Sequence, residues 1–349
     1  MSAPIKRVTR FTSWVDAAFD EGVRRETDID LRVLAVPASA EAAWAALADT
    51  HVFHVSAAKD ELPKYCHVGE ALLSHCPQLL CASSYGAGYD PIDVPACTRA
   101  GVAVVNQAGG NAVSVAELAL GLILSVARRI TESDRRLRTD RGFTREDLTG
   151  RELAGKTLGV VGIGHTGRRV AALGAAFGMT VLATDPFVPA DEIARRGARA
   201  VGLNELLAQS DVVSLHCPRD ASTMKMIDAS AYARMKRGAI FVSTARGGIH
   251  DERALADALA SGHLSGAGLD VWDQEPPPLD HPLLQCPTVV ATYHTAGVTT
   301  EARRNMAVIS AEQIVSLLAG KRPPRLVNPE VWPAYAARFA KILGRPVAI

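Results

Sequence analysis

Three stretches in the second half of the sequence end on side chains suited to acid–base or anion chemistry. Phe241-Val242-Ser243-Thr244-Ala245-Arg246 closes on an arginine. Gly266-Ala267-Gly268-Leu269-Asp270-Val271-Trp272-Asp273-Gln274-Glu275 closes on acids, and Val290-Ala291-Thr292-Tyr293-His294 on a histidine. Their apolar openings read as strands, and ligands of an open α/β sheet sit beyond the carboxyl ends of its strands. Arg246, Glu275 and His294 can therefore converge on one cleft. Reduction of a 2-oxo acid asks for these types: a cation for the carboxylate, a proton donor for the developing alkoxide, and a nicotinamide face. Arginine offers the bidentate fork that carboxylates prefer. Histidine serves as both acid and base near neutrality, and a carboxylate beside it orients the ring and favours imidazolium.

A second motif points to the cofactor. Gly159-Val160-Val161-Gly162-Ile163-Gly164-His165-Thr166-Gly167 ends a strand and opens a helix. Gly162 permits the tight turn, Gly164 lets the backbone approach a pyrophosphate, and Gly167 lets helix and strand pack closely. The first helical N–H groups and the positive end of the helix dipole then face phosphate. Asp185 ends the next strand, about 20 residues on, where a carboxylate accepts hydrogen bonds from the adenosine ribose and repels a 2′-phosphate. No Arg or Lys follows it before Arg195, so the loop predicts NAD rather than NADP.

Positioning these residues takes two α/β series. The first runs to about Asn106, with strands expected at 31–36, 52–55, 78–83 and 102–105 and a helix at 40–48. A long apolar-faced helix over 112–130 follows, then a charged, glycine-punctuated stretch over 131–156 that should wrap the surface. The second series has strands at 158–161, 180–183, 212–215, 239–243, 267–269 and 288–292, with helices at 167–177, 203–209, 229–235 and 252–261 between them. An amphipathic helix over 301–319 is stopped by Gly320. The tail beyond, proline-rich and then aromatic at Trp332, Tyr335 and Phe339, reads as a strap or subunit contact. Fold class is therefore α/β, with two doubly wound parallel sheets.

Composition bounds the alternatives. The chain has 349 residues, enough for two cores, and a formal net charge of +1 gives no reason to expect nucleic acid or an anionic membrane as partner. No apolar run is long enough to span a bilayer, and the first ten residues lack the apolar core of a signal peptide. Six cysteines without a CxxC pair read as reduced thiols in cytoplasm, and ten histidines without HxxxH or HExxH spacing leave no metal site. His165 should act through its backbone and His216 should pack at a strand end. His51, His54, His67 and His75 read as surface or core histidines, with His67 and Lys64 the two first-lobe residues placed to reach a substrate mouth.

Arg246, Glu275 and His294, in that order and with those flanks, resemble the catalytic set of the D-isomer-specific 2-hydroxyacid dehydrogenases. Ser83-Ser84-Tyr85-Gly86-Ala87-Gly88-Tyr89-Asp90 is similar to that family's substrate loop, Ser114-Val115-Ala116-Glu117 to its interdomain helix, and Leu215-His216-Cys217-Pro218 to its cofactor-side strand end. The resemblance implies two Rossmann-like domains, with an NAD-binding domain over 108–298 inserted in a flavodoxin-like substrate domain formed by 1–107 and 299–349. It also implies a homodimer held mainly by the cofactor domains. By residue, it gives Arg246 to the substrate carboxylate, His294 to acid–base work with Glu275 as partner, and the backbone of Tyr85, Gly86, Ala87 and Gly88 to the substrate carboxylate. Asp270 falls to the nicotinamide carboxamide, Thr244 and Ala245 to the nicotinamide end, His165 and Thr166 to the pyrophosphate, and Cys217 and Pro218 to the cofactor. The family usually has proline where this chain has Tyr293. Two alternatives stay open: an NAD(H)-sensing regulatory protein like the C-terminal-binding corepressors, and a formate or phosphite dehydrogenase relative.

Overall fold

The computed structural model describes residues 5–348, so residues 1–4 of the charged first ten lie outside the described residues. The backbone divides into two compact units, one of residues up to Asn111 together with those from Thr299 on, the other Ala112–Val298.

The first unit is built on five parallel strands, β1 (Lys6–Phe11), β2 (Ile29–Leu34), β3 (Val52–Val55), β4 (Cys81–Ser84) and β5 (Ala103–Val105), in the order β2-β1-β3-β4-β5. Successive side chains point to opposite faces, as a strand requires. Val8, Val52, Cys81 and Ala103 enter one core, while Phe11, Phe53, Ala82 and Val104 enter the other. Strand β1 is central yet was not anticipated, because Lys6 and Arg10 interrupt its apolar pattern. Both cations are nearly buried, and both are paired: Lys6 with Asp28 at 2.5 Å, Arg10 with Asp20 through two bonds of 3.0 and 2.9 Å.

The second unit holds seven parallel strands: β6 (Thr157–Val161), β7 (Thr180–Thr184), β8 (Arg199–Ala200), β9 (Val212–Leu215), β10 (Ala239–Ser243), β11 (Leu264–Leu269) and β12 (Val289–Ala291). Their order is β12-β11-β10-β9-β6-β7-β8. Six of them match the expected strands; β8, only two residues long, is the addition. Leu158, Val160, Val212, Ile240 and Val242 pack on one face, Val161, Val213, Leu215 and Phe241 on the other. Strand order reverses between β6 and β9, so the glycine loop after β6 and Cys217 after β9 lie at the switch point where such sheets take ligands.

Three expectations change. The helix expected over 112–130 stops at Ala127, where Arg129 turns left-handed (φ 53°). A second helix, Ile130–Thr139, then opens the stretch read as a surface wrap. The C-terminal aromatics lie on a helix, Trp332–Leu343, rather than on an irregular strap: Tyr335 and Phe339 have no exposed surface and pack in the first unit's core, and Trp332 is half-buried. Helix Thr300–Leu318 is less one-sided than its pattern implied, since Ser310 and Gln313 are buried beside Ala311, Ile314 and Leu317. No helix among the described residues is long and apolar enough to cross a membrane.

Candidate active site

The loop between β6 and helix Gly167–Ala176 is shaped by what a side chain would strike. Gly162 has φ 86°, and a Cβ there would lie 2.7 Å from the Cys217 amide nitrogen. At Gly167 a Cβ would come within 2.0 Å of the Gly162 carbonyl oxygen, so helix and strand cross too closely for alanine. At Gly164 nothing lies within 4 Å, which leaves open space beside an exposed backbone. That cradle, at the N-terminus of a ten-residue helix, fits a pyrophosphate. Asp185 ends β7 beside it, accepting the Ile163 amide at 3.0 Å on one oxygen and the Phe187 amide at 3.0 Å on the other. Sequence spacing saw no cation near this acid. The structure brings one in: helix Ala190–Arg195 folds back so that Arg196 donates to the Ile163 carbonyl at 2.7 Å, while its Nε pairs with Glu192 at 2.7 Å.

At the far ends of β11 and β12, His294 Nδ1 meets Glu275 Oε2 at 2.8 Å. The other Glu275 oxygen accepts the Trp272 amide at 3.1 Å. Burial alone would raise the Glu275 carboxyl, but the His294 ring, the Trp272 amide and the Arg246 charge outweigh it and hold it below the ordinary value. An ionised Glu275 fixes a proton on Nδ1 and leaves Nε2 for exchange with a ligand. Arg246 follows β10, half-buried, with Nη1 donating to the Ala245 carbonyl at 2.7 Å. His294 itself is left-handed, φ 47°.

Residues 120–296 match the family model described as "D-isomer specific 2-hydroxyacid dehydrogenase, NAD binding domain". A D-3-phosphoglycerate dehydrogenase of Archaeoglobus fulgidus is 40% identical over 283 residues, 78% of this chain but 54% of its own length. The chain thus spans about half of that relative. A glyoxylate reductase of Korarchaeum cryptofilum is 40% identical over 258 residues, covering 73% of this chain and 78% of its own. Among solved structures, a glyoxylate reductase from Paecilomyes thermophila superposes with a TM-score of 0.83 at 28% identity, covering 94% of this chain and 99% of its own.

The chain belongs to the D-isomer-specific 2-hydroxyacid dehydrogenase family.

Within this family member, Arg246, Glu275, His294, the glycine loop and Asp185 all fall in the second unit. Thr244 and Ala245 are buried at the end of β10, and Thr244 Oγ1 stands 3.5 Å from His216 Nδ1. His216 also bonds Ser214 at 2.8 Å, and burial pushes its ring down to about 4, which favours the neutral form at pH 7. Burial likewise lifts the Cys217 thiol to about 11, and the Pro218 carbonyl accepts from Thr223 at 2.8 Å. Of the phosphate-loop pair, Thr166 is half-buried, and the exposed His165 ring meets Arg168 at 3.3 Å.

Tyr85, Gly86, Ala87 and Gly88 follow β4 in the first unit. Their backbone is tied down by Gln107 N to Gly86 O at 2.9 Å, Asn106 Nδ2 to Ala87 O at 2.8 Å, and a Ser84 hydroxyl to Gly88 O. Tyr85 OH accepts from Ser13 at 2.8 Å. His54 is fully buried, stacked on Phe19 with centroids 4.1 Å apart, and pushed down to about 3. Lys64 and His67 line a first-unit groove of about 480 Å3 with Lys59 and Trp44. Sequence reasoning missed a second imidazole–carboxylate pair: Glu252 bonds His281 at 3.1 Å and accepts the Asp273 amide at 2.8 Å, bracing the turn that presents Glu275. No spacing rule links residues on separate helices. Among the described residues no cluster of three metal-ligating side chains occurs.

Proposed function

We propose that this chain is an NAD-dependent dehydrogenase acting on a small D-2-hydroxy or 2-oxo acid. The observation that carries the reading is the His294–Glu275 bond of 2.8 Å, in the same unit as a glycine loop shaped for a dinucleotide. In this reading residues 108–298 bind the cofactor, and 1–107 with 299–349 bind substrate. Gly162, Gly164, His165, Thr166 and Gly167 hold the pyrophosphate, Asp185 the adenosine ribose, and Cys217, Pro218, Thr244 and Ala245 line the cofactor's path. The nicotinamide, when bound, supplies or takes up the hydride at C2. Arg246 binds the substrate carboxylate and polarises the carbonyl. His294 gives its Nε2 proton to the forming alkoxide, and Glu275 stabilises the imidazolium before that transfer. We further read the protein as a cytoplasmic homodimer. Six cysteines all free are consistent with a reducing compartment, and light scattering should return about twice the monomer mass of 37.0 kDa.

The test is NADH oxidation against a panel of 2-oxo acids: glyoxylate, hydroxypyruvate, its phosphate ester, and branched-chain members. Steady turnover with at least one is expected. Tight NADH binding with no turnover on any would favour a cofactor sensor, and turnover of formate or phosphite with NAD would redirect the substrate class.

A further inference from the structure

The family resemblance gives Asp270 to the nicotinamide carboxamide, but this side chain has no exposed surface. Its carboxylate is already engaged from inside the protein. Oδ1 accepts the Thr292 hydroxyl at 2.6 Å and the Thr295 amide at 2.8 Å, and Oδ2 accepts the Ala296 amide at 2.9 Å. The Asp270 carbonyl takes the His294 amide at 2.7 Å. Every one of these donors belongs to the segment that carries the catalytic histidine.

That segment has the backbone to match. His294 is left-handed at φ 47°, a conformation that side chains other than glycine rarely adopt. A left-handed residue aims successive amides inward and makes an anion-binding concavity. Here the anion is a side chain of the same unit. These bonds are shielded from water, in an interior where a hydrogen bond is electrostatically stronger than at the surface. The family's usual proline would limit backbone freedom just before the histidine; Tyr293 does not.

We infer that Asp270 is a positioning residue: its buried carboxylate holds the Thr292–Ala296 turn and so fixes His294 at the distance from Glu275 that acid–base work needs. The assignment of that work rests on the function proposed above, but the clamp is measurable without it. Amide hydrogen exchange on Asp270→Asn, read by NMR or mass spectrometry, tests it directly. The amide keeps the shape but turns one acceptor into a donor facing a donor. Exchange at Thr295 and Ala296 should quicken about 10- to 100-fold, with little change elsewhere in Ala112–Val298. NADH affinity should stay within about threefold, while kcat on any 2-oxo acid that turns over should fall with the KM for NADH unmoved. Unchanged exchange at Thr295 and Ala296 together with weakened NADH binding would overturn the clamp in favour of a cofactor contact. Should exchange rise throughout the unit, Thr292→Val decides, because it removes a single hydroxyl donor: local quickening at Thr295 and Ala296 supports the inference, and none sinks it. A substrate screen that finds no turnover leaves the exchange result standing.

Discussion

At the residue scale the pairing of His294 with Glu275 separates two roles that activity measurements can tell apart. His294→Asn removes the proton donor while leaving the dinucleotide cradle untouched. It should lower kcat by about 10²-fold or more with NADH binding retained. Glu275→Gln keeps the ring but loses the charge that fixes Nδ1, so its loss should be smaller and should fall on kcat. Turnover within a few-fold of the original for His294→Asn would remove the histidine from the chemistry. Asp185, given to the adenosine ribose in the proposed function, bears on a different preference. Both of its oxygens accept backbone amides, and a 2′-phosphate there would meet a carboxylate. NADH should therefore exceed NADPH in kcat/KM by about 10²-fold, since like charges brought together cost several kcal/mol. Arg196 sits close enough to bond Ile163, so Asp185→Ser alone should narrow the gap without any added arginine. Equal use of the two cofactors by the unaltered protein would refute this account of the loop.

At the element scale the crossing of β6 and helix Gly167–Ala176 is the tightest constraint on the cofactor site. Gly167→Ala places a methyl 2.0 Å from the Gly162 carbonyl, so the helix must move outward and carry its N-terminal amides with it. Overpacking of this kind costs about 1–3 kcal/mol of stability, and NADH affinity measured by calorimetry should drop at least about tenfold. Retained affinity would mean that the helix end does not face the phosphates. This crossing was legible in the sequence because strand, glycine spacing and helix each follow a local rule. So were β9 and β10, short, mainly apolar runs with one serine each and buried along their whole length. Strand β1 was not, since its three cations, Lys6, Arg7 and Arg10, are neutralised by Asp28, Asp49 and Asp20, brought in by tertiary contact. Nor was β8, too short to show a period, or the break after Ala127, where one left-handed arginine held by Glu132 at 2.6 and 2.8 Å divides an otherwise continuous helical pattern. In the site, the types and strand-end positions of Arg246, Glu275 and His294 were readable. The bond from Asp270 to the histidine turn was not, because it joins two strand ends that only folding brings side by side.

At the scale of the whole molecule, burial of neutral imidazoles gives the fold an acid limit. His54 lies in the first unit, while His216 and His250 lie in the second. Burial pushes them to about 3, 4 and 4 against an ordinary value of 6.5. His250 is the extreme case, with no exposed surface and neither ring nitrogen hydrogen-bonded among the described residues, its ring 5.3 Å from Phe241. Each depressed imidazole takes up a proton on unfolding well before it does so in the folded state. The resulting stability is complete above pH 6.5 and is lost as pH falls from there toward 4. Each site contributes at most about 1.4 kcal/mol per pH unit, so three give a slope near 4 kcal/mol per unit around pH 5. His216 keeps some contact with solvent, which lowers its share. Against a total stability of about 5–15 kcal/mol, a fall of two pH units removes a large share of it. The carboxylates held below their ordinary values, Glu275 and Asp251 among them, add to the loss only at lower pH. Urea unfolding followed by circular dichroism from pH 7 to pH 4.5 should show this slope. His250→Leu removes one proton from the count without breaking a hydrogen bond. The variant should therefore be no less stable at pH 7, and its slope around pH 5 should be shallower by about a third. Because two units are present, the transition that flattens should be that of Ala112–Val298, and its midpoint should become the less acid-sensitive of the two if they separate. An unchanged slope in His250→Leu would show that this imidazole is already charged in the folded protein.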